Sequence, residues 1–128
     1  MRNFILVGAV LIGLSLAGCR SAAPLMNVTD SAVPGASGKR SEQVRAAIIR
    51  AGGSLGWQFK DESPTLLVGT LQLREHVAVI EIPYSSMSYS IKYRSSINLH
   101  EKNGTIHQNY NGWIQNLTKA INTQLSNS

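Results

Sequence analysis

The stretch LLVGTLQLREHVAVIEIP, Leu66 to Pro83, decides the fold of this chain. It contains two runs whose alternate positions suit a buried sheet face, which is typical of paired β-strands. We predict a two-residue turn at Arg74-Glu75, and this turn sets the register. A slip of one residue would turn every side chain to the other face, so the apolar pattern specifies the pairing. The predicted pairs are Leu73–His76, Leu71–Ala78, Gly69–Ile80 and Leu67–Ile82.

Strand-like sequence continues on both sides of this hairpin. A loop at residues 83–86 leads to a strand from Met87 to Arg94, and a strand around Trp57 and Phe59 precedes the hairpin. The first connection predicts the pairs Ile82–Met87, Ile80–Tyr89, Ala78–Ile91 and His76–Tyr93. We expect a five-residue loop between Lys60 and Leu66, and irregular structure at residues 95–99. The predicted buried face consists of Trp57, Phe59, Leu67, Leu71, Leu73, Ala78, Ile80, Ile82, Tyr89 and Ile91.

An amphipathic helix is predicted on each side of the strands. Ser41 suits the N-cap of the first helix and Gly52-Gly53 suit its end, while Gly112 suggests a close approach of the second helix to the sheet. The predicted fold is α+β, a two-layer sandwich. In it an antiparallel four-stranded meander carries the N-terminal and the C-terminal helix on one face, in the order α-β-β-β-β-α. The predicted helix faces are Val44, Ala47, Ile48 and Ala51, and Tyr110, Trp113, Ile114, Leu117, Ile121 and Leu125.

The first residues have the composition of a secretion signal. A positively charged start is followed by the uncharged run from Phe4 to Leu16, and then by the small residues Ala17 and Gly18. This run is short for a membrane-spanning helix, which needs about 20 residues. The pattern therefore predicts a cleaved signal peptide rather than a permanent transmembrane anchor.

Leu16-Ala17-Gly18-Cys19 resembles a bacterial lipobox and contains the only cysteine of the chain. The resemblance implies cleavage between Gly18 and Cys19 and a covalent lipid on Cys19, with no other cofactor. One acyl chain binds a membrane only marginally, whereas a triacylated cysteine anchors a protein stably. Lipoproteins kept in the inner membrane commonly have aspartate at the next position, where this chain has Arg20. The family pattern therefore implies an outer-membrane protein that faces the periplasm.

Three segments follow from these assignments. Residues 1–18 are the predicted signal peptide. Residues 19–38, rich in Ser, Ala, Pro and Gly, are the predicted lipidated N-terminus and flexible tether, with a reach of roughly 25 Å. Residues 39–128 are predicted to form one small α+β domain.

Charge and cysteine content exclude several classes of function. The chain has 12 Lys+Arg against 7 Asp+Glu, and its basic residues are scattered, with no run of three. We therefore expect no nucleic-acid partner. Once Cys19 carries lipid, the domain has no cysteine for disulfide bonds or thiolate chemistry.

A second resemblance covers most of residues 42–121. The stretches AAIIRAGGSLGW (46–57), YSIKYRSSINL (89–99) and IHQNYNGWIQNL (106–117) are similar to small proteobacterial lipoproteins of the outer membrane and periplasm. This resemblance implies a family and a compartment. It brings no assigned activity and no catalytic residue.

The sheet face opposite the helices is the predicted partner-binding surface. A face exposed to water needs polar side chains, yet valines interrupt the polar pattern there. Valines bordered by charges form a modest docking patch for another envelope protein, and an exposed edge strand is a second mode of binding. Scattered apolar residues on an inert surface are the alternative interpretation. The predicted partner-binding residues are Val68, Val77, Val79, Glu81, Lys92 and Arg94.

We expect a non-enzymatic protein, and two other interpretations stay open. One is a periplasmic binder of a metal ion or a cell-wall glycan, using His100, His107 or the region from Tyr110 to Trp113. We expect no metal site, because these histidines and His76 lack the spacing typical of zinc ligands. The other is an enzyme of unrecognised type. Its candidate serines more often bond nearby backbone in such loops; they are Ser85, Ser86, Ser95 and Ser96.

Overall fold

The structure, a computed structural model, describes residues 22–128. The elements are β1 (Ala22–Pro24), β2 (Val28–Ala32), α1 (Ser41–Ser54), β3 (Gln58–Ser63), β4 (Leu66–Leu73), β5 (His76–Pro83), β6 (Ser88–Ile97), β7 (Thr105–His107) and α2 (Gln108–Ser126). Strands β2, β6, β5, β4 and β3 form, in that order, a five-stranded antiparallel sheet, and β1 pairs with β7. The predicted α+β class, with an antiparallel sheet, an N-terminal helix and a C-terminal helix, is confirmed. The four-stranded meander gains a fifth strand, β2.

Residues 22–38 are not the flexible tether that their composition predicts. β1 pairs with β7 and β2 pairs with β6, while Val33 is buried in the core. The Ser, Pro and Gly content does not predict these strands, because main-chain pairing does not depend on particular side chains. The folded domain therefore already includes Ala22, well before the predicted boundary at residue 39. The predicted cleavage and lipidation residues, Gly18 and Cys19, lie outside the described residues.

The β4–β5 hairpin has the predicted register. All four expected pairs are present, from Leu73–His76 to Leu67–Ile82, and Arg74-Glu75 forms the turn. Arg74 has a positive φ of 58°, although tight hairpin turns prefer Asn or Gly there. At this hairpin the apolar alternation thus outweighs unfavourable turn chemistry.

The next hairpin, β5–β6, differs from the prediction by four residues. Ile80 pairs with Tyr93 rather than with Tyr89. A shift of four residues preserves the alternation, so Tyr89 and Ile91 are buried as predicted. β6 also continues to Ile97, through part of the segment expected to be irregular.

Ser85 explains why this turn lies further along the chain than expected. Its Oγ accepts hydrogen bonds from the backbone N–H groups of Met87 (3.1 Å) and Ser88 (3.2 Å). Serine commonly closes a turn in this way. The expectation that this loop serine bonds nearby backbone groups is confirmed. The turn that it closes moves the pairing of β6 with β5 further along the chain.

The predicted buried face is confirmed except at Leu73, and the connection between β3 and β4 is shorter than expected. β3 extends to Ser63, so a two-residue turn at 64–65 replaces the expected five-residue loop. Trp57 is buried and Phe59 packs against the core from its margin. Leu73, expected in the core, is 47% exposed, because it is the last residue of β4 and protrudes beside the hairpin turn.

Helix α1 differs from the prediction at both ends. Arg40, rather than Ser41, is the N-cap, and its backbone N–H donates to Oε1 of Gln43 at 2.8 Å. The helix continues through Gly52-Gly53 to Ser54. Gly56, with a φ of 95°, supplies the left-handed residue that ends it. Gly52 instead serves packing, because the ring of Phe59 occupies the space that a Cβ atom would take.

Helix α2 packs against α1 and covers the same face of the sheet. The hydroxyl of Tyr89 in β6 donates to Oδ1 of Asn122 in α2 at 2.7 Å. Trp113 is only half-buried, and the close approach expected at Gly112 is wrong, because a Cβ there would meet open space. The buried side chains of α2 are Tyr110, Ile114, Leu117, Ile121 and Leu125.

Candidate partner-binding face

The register places the predicted partner-binding residues on the sheet face opposite the helices, which we call the open face. Val68 of β4 lies opposite Glu81 of β5, and Glu81 lies opposite Lys92 of β6. Val77 and Val79 follow on β5 in the adjoining rows. Within residues 22–128 both helices pack on the other side of the sheet, so solvent reaches this face.

An apolar strip runs along the middle of the open face. It consists of Val77, Val79 and Ile97, and Val77 lies opposite Ile97 across the β5–β6 pair. The side chain of Ile97 is 58% exposed. Sequence reasoning missed it because the predicted strand ended at Arg94, with irregular structure at residues 95–99. In addition, Arg94 is the extra residue of a β-bulge, which changes the outward-facing positions beyond it. The available clue was Ile97 itself, an isolated large apolar residue in a polar segment.

Charged side chains border this strip. The guanidinium of Arg94 donates to the two carboxylate oxygens of Glu62 at 3.1 and 3.2 Å, and its Nε lies 3.7 Å from Glu81. Ion pairs this exposed contribute about 0–1 kcal/mol to stability. Their main effect is to fix the position of the Arg94 guanidinium, which lies between the Glu62 and Glu81 carboxylates beside the valines.

Both edges of the sheet are irregular, which disfavours the alternative of strand addition. In edge strand β2 the register with β6 shifts between Val28 and Ser31, and Asp30 has a positive φ of 47°. In β3, at the other edge, the register with β4 shifts between Asp61 and Ser63. Bulges interrupt the row of N–H and C=O groups that an added strand needs. The open face is therefore the better of the two docking modes.

The most closely bonded ion pair lies on the helix side of the sheet. Arg45 of α1 donates to both carboxylate oxygens of Asp61 in β3, at 2.9 and 2.6 Å. The hydrogen bonds from Arg45 hold the pKa of the Asp61 carboxyl below its ordinary value. This pair ties α1 to the sheet edge, which accounts for it without a catalytic role.

The histidines meet in a different combination from the one considered for a metal site. The ring of His107 lies 6.4 Å from the ring of His76, and His100 is exposed in the loop before β7. Nδ1 of His107 accepts a hydrogen bond from the N–H of Asn109 at 3.2 Å, so the proton of the neutral ring is on Nε2. This helix-capping bond occupies the Nδ1 lone pair of His107. Among residues 22–128 no three His, Cys, Asp or Glu side chains are grouped to hold one.

Tyr110 and Trp113, considered for a glycan site, differ in burial. Tyr110 is fully buried, and its ring meets that of Tyr93 edge to face at 5.6 Å. Burial raises the pKa of the Tyr110 hydroxyl, which has no hydrogen-bond partner among the described residues. A buried ring is not accessible to a sugar, so Trp113 alone of this pair remains at the surface.

A groove between β2 and α2 is a feature that sequence reasoning missed. Its volume is about 690 Å³. Met26 and Val28 supply its apolar part, and these residues had been assigned to the tether. The groove is otherwise lined by polar side chains of α2 and the residue after it: Gln115, Thr118, Lys119, Asn122, Thr123, Ser126 and Asn127.

Comparisons of the chain with protein-family models, curated proteins and solved structures find no match. In the part of the chain from Ala22 onward, no helix has the length and apolarity needed to cross a membrane.

Proposed function

We propose that this chain is a lipid-anchored, non-enzymatic protein of the bacterial cell envelope whose open face binds another envelope protein. One observation carries the proposal: the apolar strip of Val77, Val79 and Ile97 is bordered by fixed charges and left open to solvent. Protein interfaces have a charge-depleted centre and a polar rim, and the open face has this arrangement.

The membrane anchor is supported by sequence alone. Residues 16–19 resemble a lipobox after an apolar run, and Arg20 favours the periplasmic face of the outer membrane. β1 begins three residues after Cys19, and Ala22 is exposed. A lipid on Cys19 therefore needs no rearrangement of the described domain.

Mass spectrometry of the purified mature chain tests the anchor. We expect an N-terminus at Cys19 that carries diacylglycerol and an amide-linked acyl chain. Cys19→Ser should remain unprocessed and carry no lipid. A mature wild-type chain that lacks lipid and fractionates with soluble periplasmic proteins would contradict the anchor.

Photo-crosslinking in cells tests the open face. A photoreactive residue replaces Val79 in the full chain, and the matched control replaces Asn116, an exposed residue of α2 on the opposite layer. We expect a discrete protein adduct from position 79 that is absent from position 116. Equal labelling at both positions, or none at 79, would contradict a partner on this face.

The groove between β2 and α2 supports a second candidate, binding of a cell-wall glycan. Amide and hydroxyl side chains are suitable partners for sugar hydroxyls, and Met26 and Val28 provide apolar contact. NMR titration with soluble peptidoglycan fragments tests this candidate. Shifts concentrated at Gln115 and Asn122 would favour it over the open face, and an unchanged spectrum would remove it.

A further inference from the structure

The described chain begins at a definite end of the sheet. Ala22 pairs with His107, whose ring lies 6.4 Å from that of His76, the first residue of β5. Asn98 ties the same end together, because its carbonyl bonds Nδ1 of His76 (2.9 Å) and its Nδ2 donates to the carbonyl of Glu75 (2.7 Å). The N-terminal segment therefore meets the fold beside the β4–β5 turn. We call this region the anchor end.

Two of the most exposed large apolar side chains belong to the anchor end. Leu73 is paired with His76 and is 47% exposed, while Ile97 is paired with Val77 and is 58% exposed. The half-buried Trp113 joins them, with its ring 6.4 Å from that of His76. Indole side chains favour the boundary between water and lipid.

The distance from Cys19 to the folded domain is short. Two residues, Arg20 and Ser21, lie between Cys19 and Ala22. The three Cα–Cα steps of an extended chain span at most about 3.6 Å each, so the two Cα atoms are at most about 11 Å apart. The tether expected from composition would have allowed roughly 25 Å. A lipid on Cys19 thus brings the anchor end to the level of the bilayer headgroups.

We infer that the anchor end docks end-on against the phospholipid bilayer. Leu73, on the helix side of the sheet, and Ile97, on the open face, enter the interface from the two sides of this end, and Trp113 lies at its boundary.

This inference rests on the proposed lipid anchor. It shares Ile97 with the proposed partner face: Ile97, at the end of the open face nearest the anchor, contacts lipid, and Val77 and Val79 remain for a protein partner. Arg74 and Glu75 at the turn have opposite charges, so the contact is mainly apolar and depends little on salt.

Docking at this end orients the rest of the domain. The β5–β6 loop, which contains the 70% exposed Met87, lies at the far end of the strands and points away from the bilayer. The open face then stands beside the membrane surface, where it faces neighbouring envelope proteins. Orientation by the bilayer would reduce the entropy lost when such a partner binds.

Spin labelling tests the docking in the full lipidated chain. Because Cys19 carries the lipid, a single introduced cysteine is the only free thiol. Labels go at Leu73→Cys and Ile97→Cys, with Met87→Cys as the matched exposed control. The protein is reconstituted in vesicles of phosphatidylethanolamine and phosphatidylglycerol, and power saturation compares accessibility to oxygen with accessibility to a nickel chelate.

We expect the oxygen-to-nickel accessibility ratio at positions 73 and 97 to be at least threefold that at position 87, and equally so at low and high salt. Equal ratios at all three positions in protein that floats with the vesicles would overturn docking while leaving the anchor intact. A chain that carries no lipid and does not float would contradict the anchor, and docking with it. Circular dichroism of each labelled variant confirms that the fold is retained.

Discussion

Asn111 of α2 holds Met26 by a hydrogen bond of 2.9 Å from the Met26 backbone N–H to the Asn111 side-chain oxygen. The nitrogen of the same amide donates to the carbonyl of Pro24 at 2.7 Å. One side chain therefore makes the two main-chain bonds that a neighbouring strand would make. This clamp fixes the N-terminal segment to the domain and so defines where an anchor would meet it.

Asn111→Ala is expected to lower the free energy of unfolding by about 1 kcal/mol, because it leaves the partly buried N–H of Met26 without its partner and the exposed carbonyl of Pro24 to water. Hydrogen exchange at the Met26 amide should accelerate more than exchange in β4 or β5. Asn116→Ala, at an exposed position of the same helix, is the control and should change stability by less than about 0.5 kcal/mol. Unchanged exchange at Met26 would show that the clamp does not hold this segment.

Three glycines of the helices are expected to respond differently to alanine. Gly52→Ala should destabilise the fold, because the new Cβ would collide with the ring of Phe59. Gly53→Ala and Gly112→Ala meet open space in helical backbone, and each should stabilise by about 0.5–1 kcal/mol. Urea unfolding of the three variants measures the difference. Equal effects at Gly52 and Gly53 would argue against the close packing of α1 on β3.

The buried hydroxyl of Tyr110 predicts an uncommon outcome for removal of a polar group. Tyr110→Phe is expected to raise the free energy of unfolding by about 1 kcal/mol, because it removes a hydroxyl that the described residues leave unpaired. Tyr89→Phe is the matched control and should lower it by about 1 kcal/mol, because it breaks the bond to Asn122. A destabilising Tyr110→Phe would instead indicate that a buried water bonds this hydroxyl.

Alkaline pH is expected to unfold the domain through its buried tyrosines. Burial raises the pKa of Tyr89 and of Tyr110 above the ordinary value of 10.0. Because the folded state favours the neutral hydroxyl, this stabilisation is complete below pH 10 and declines as the pH rises further. Urea unfolding between pH 8 and pH 12 should show the decline, and Tyr110→Phe should reduce its slope. A flat profile through this range would contradict the burial of these hydroxyls.

The sequence predicts local alternation well and long-range pairing less well. Leu67 and Ile80 are found in the core because a period of two assigns them to one face whatever the exact turn. The β5–β6 pairing depends on whether Ser85 closes its turn. A shift of four residues leaves every side chain on the same face, so the apolar alternation cannot distinguish the two pairings. Ile97 escaped detection for a related reason, since the bulge at Arg94 alters which residues face outward.

Strands β1 and β2 could not be inferred from composition. Their residues are small or polar, and they are ordered by partners that are distant in sequence: β7, β6 and the clamp of Asn111. The groove beside β2 and the short distance from Cys19 to the domain both follow from these strands. The positions of the open-face residues were predictable, because they required only the alternation of β4 and β5 and a β6 register that differs from the expected one by an even number of residues up to Arg94.

Photo-crosslinking from position 70 gives the most direct test of the open face. Thr70 lies opposite Val79 at the apolar strip, and Val79→Lys in the same chain would place a charge within that strip without changing the residues proposed to contact the bilayer. We expect this change to lower the adduct yield about tenfold, the effect of losing 1.4 kcal/mol of binding. Leu55→Lys, at an exposed apolar residue following α1, should leave the yield unchanged. An adduct that is insensitive to Val79→Lys, in a variant with normal circular dichroism, would contradict binding through the open face.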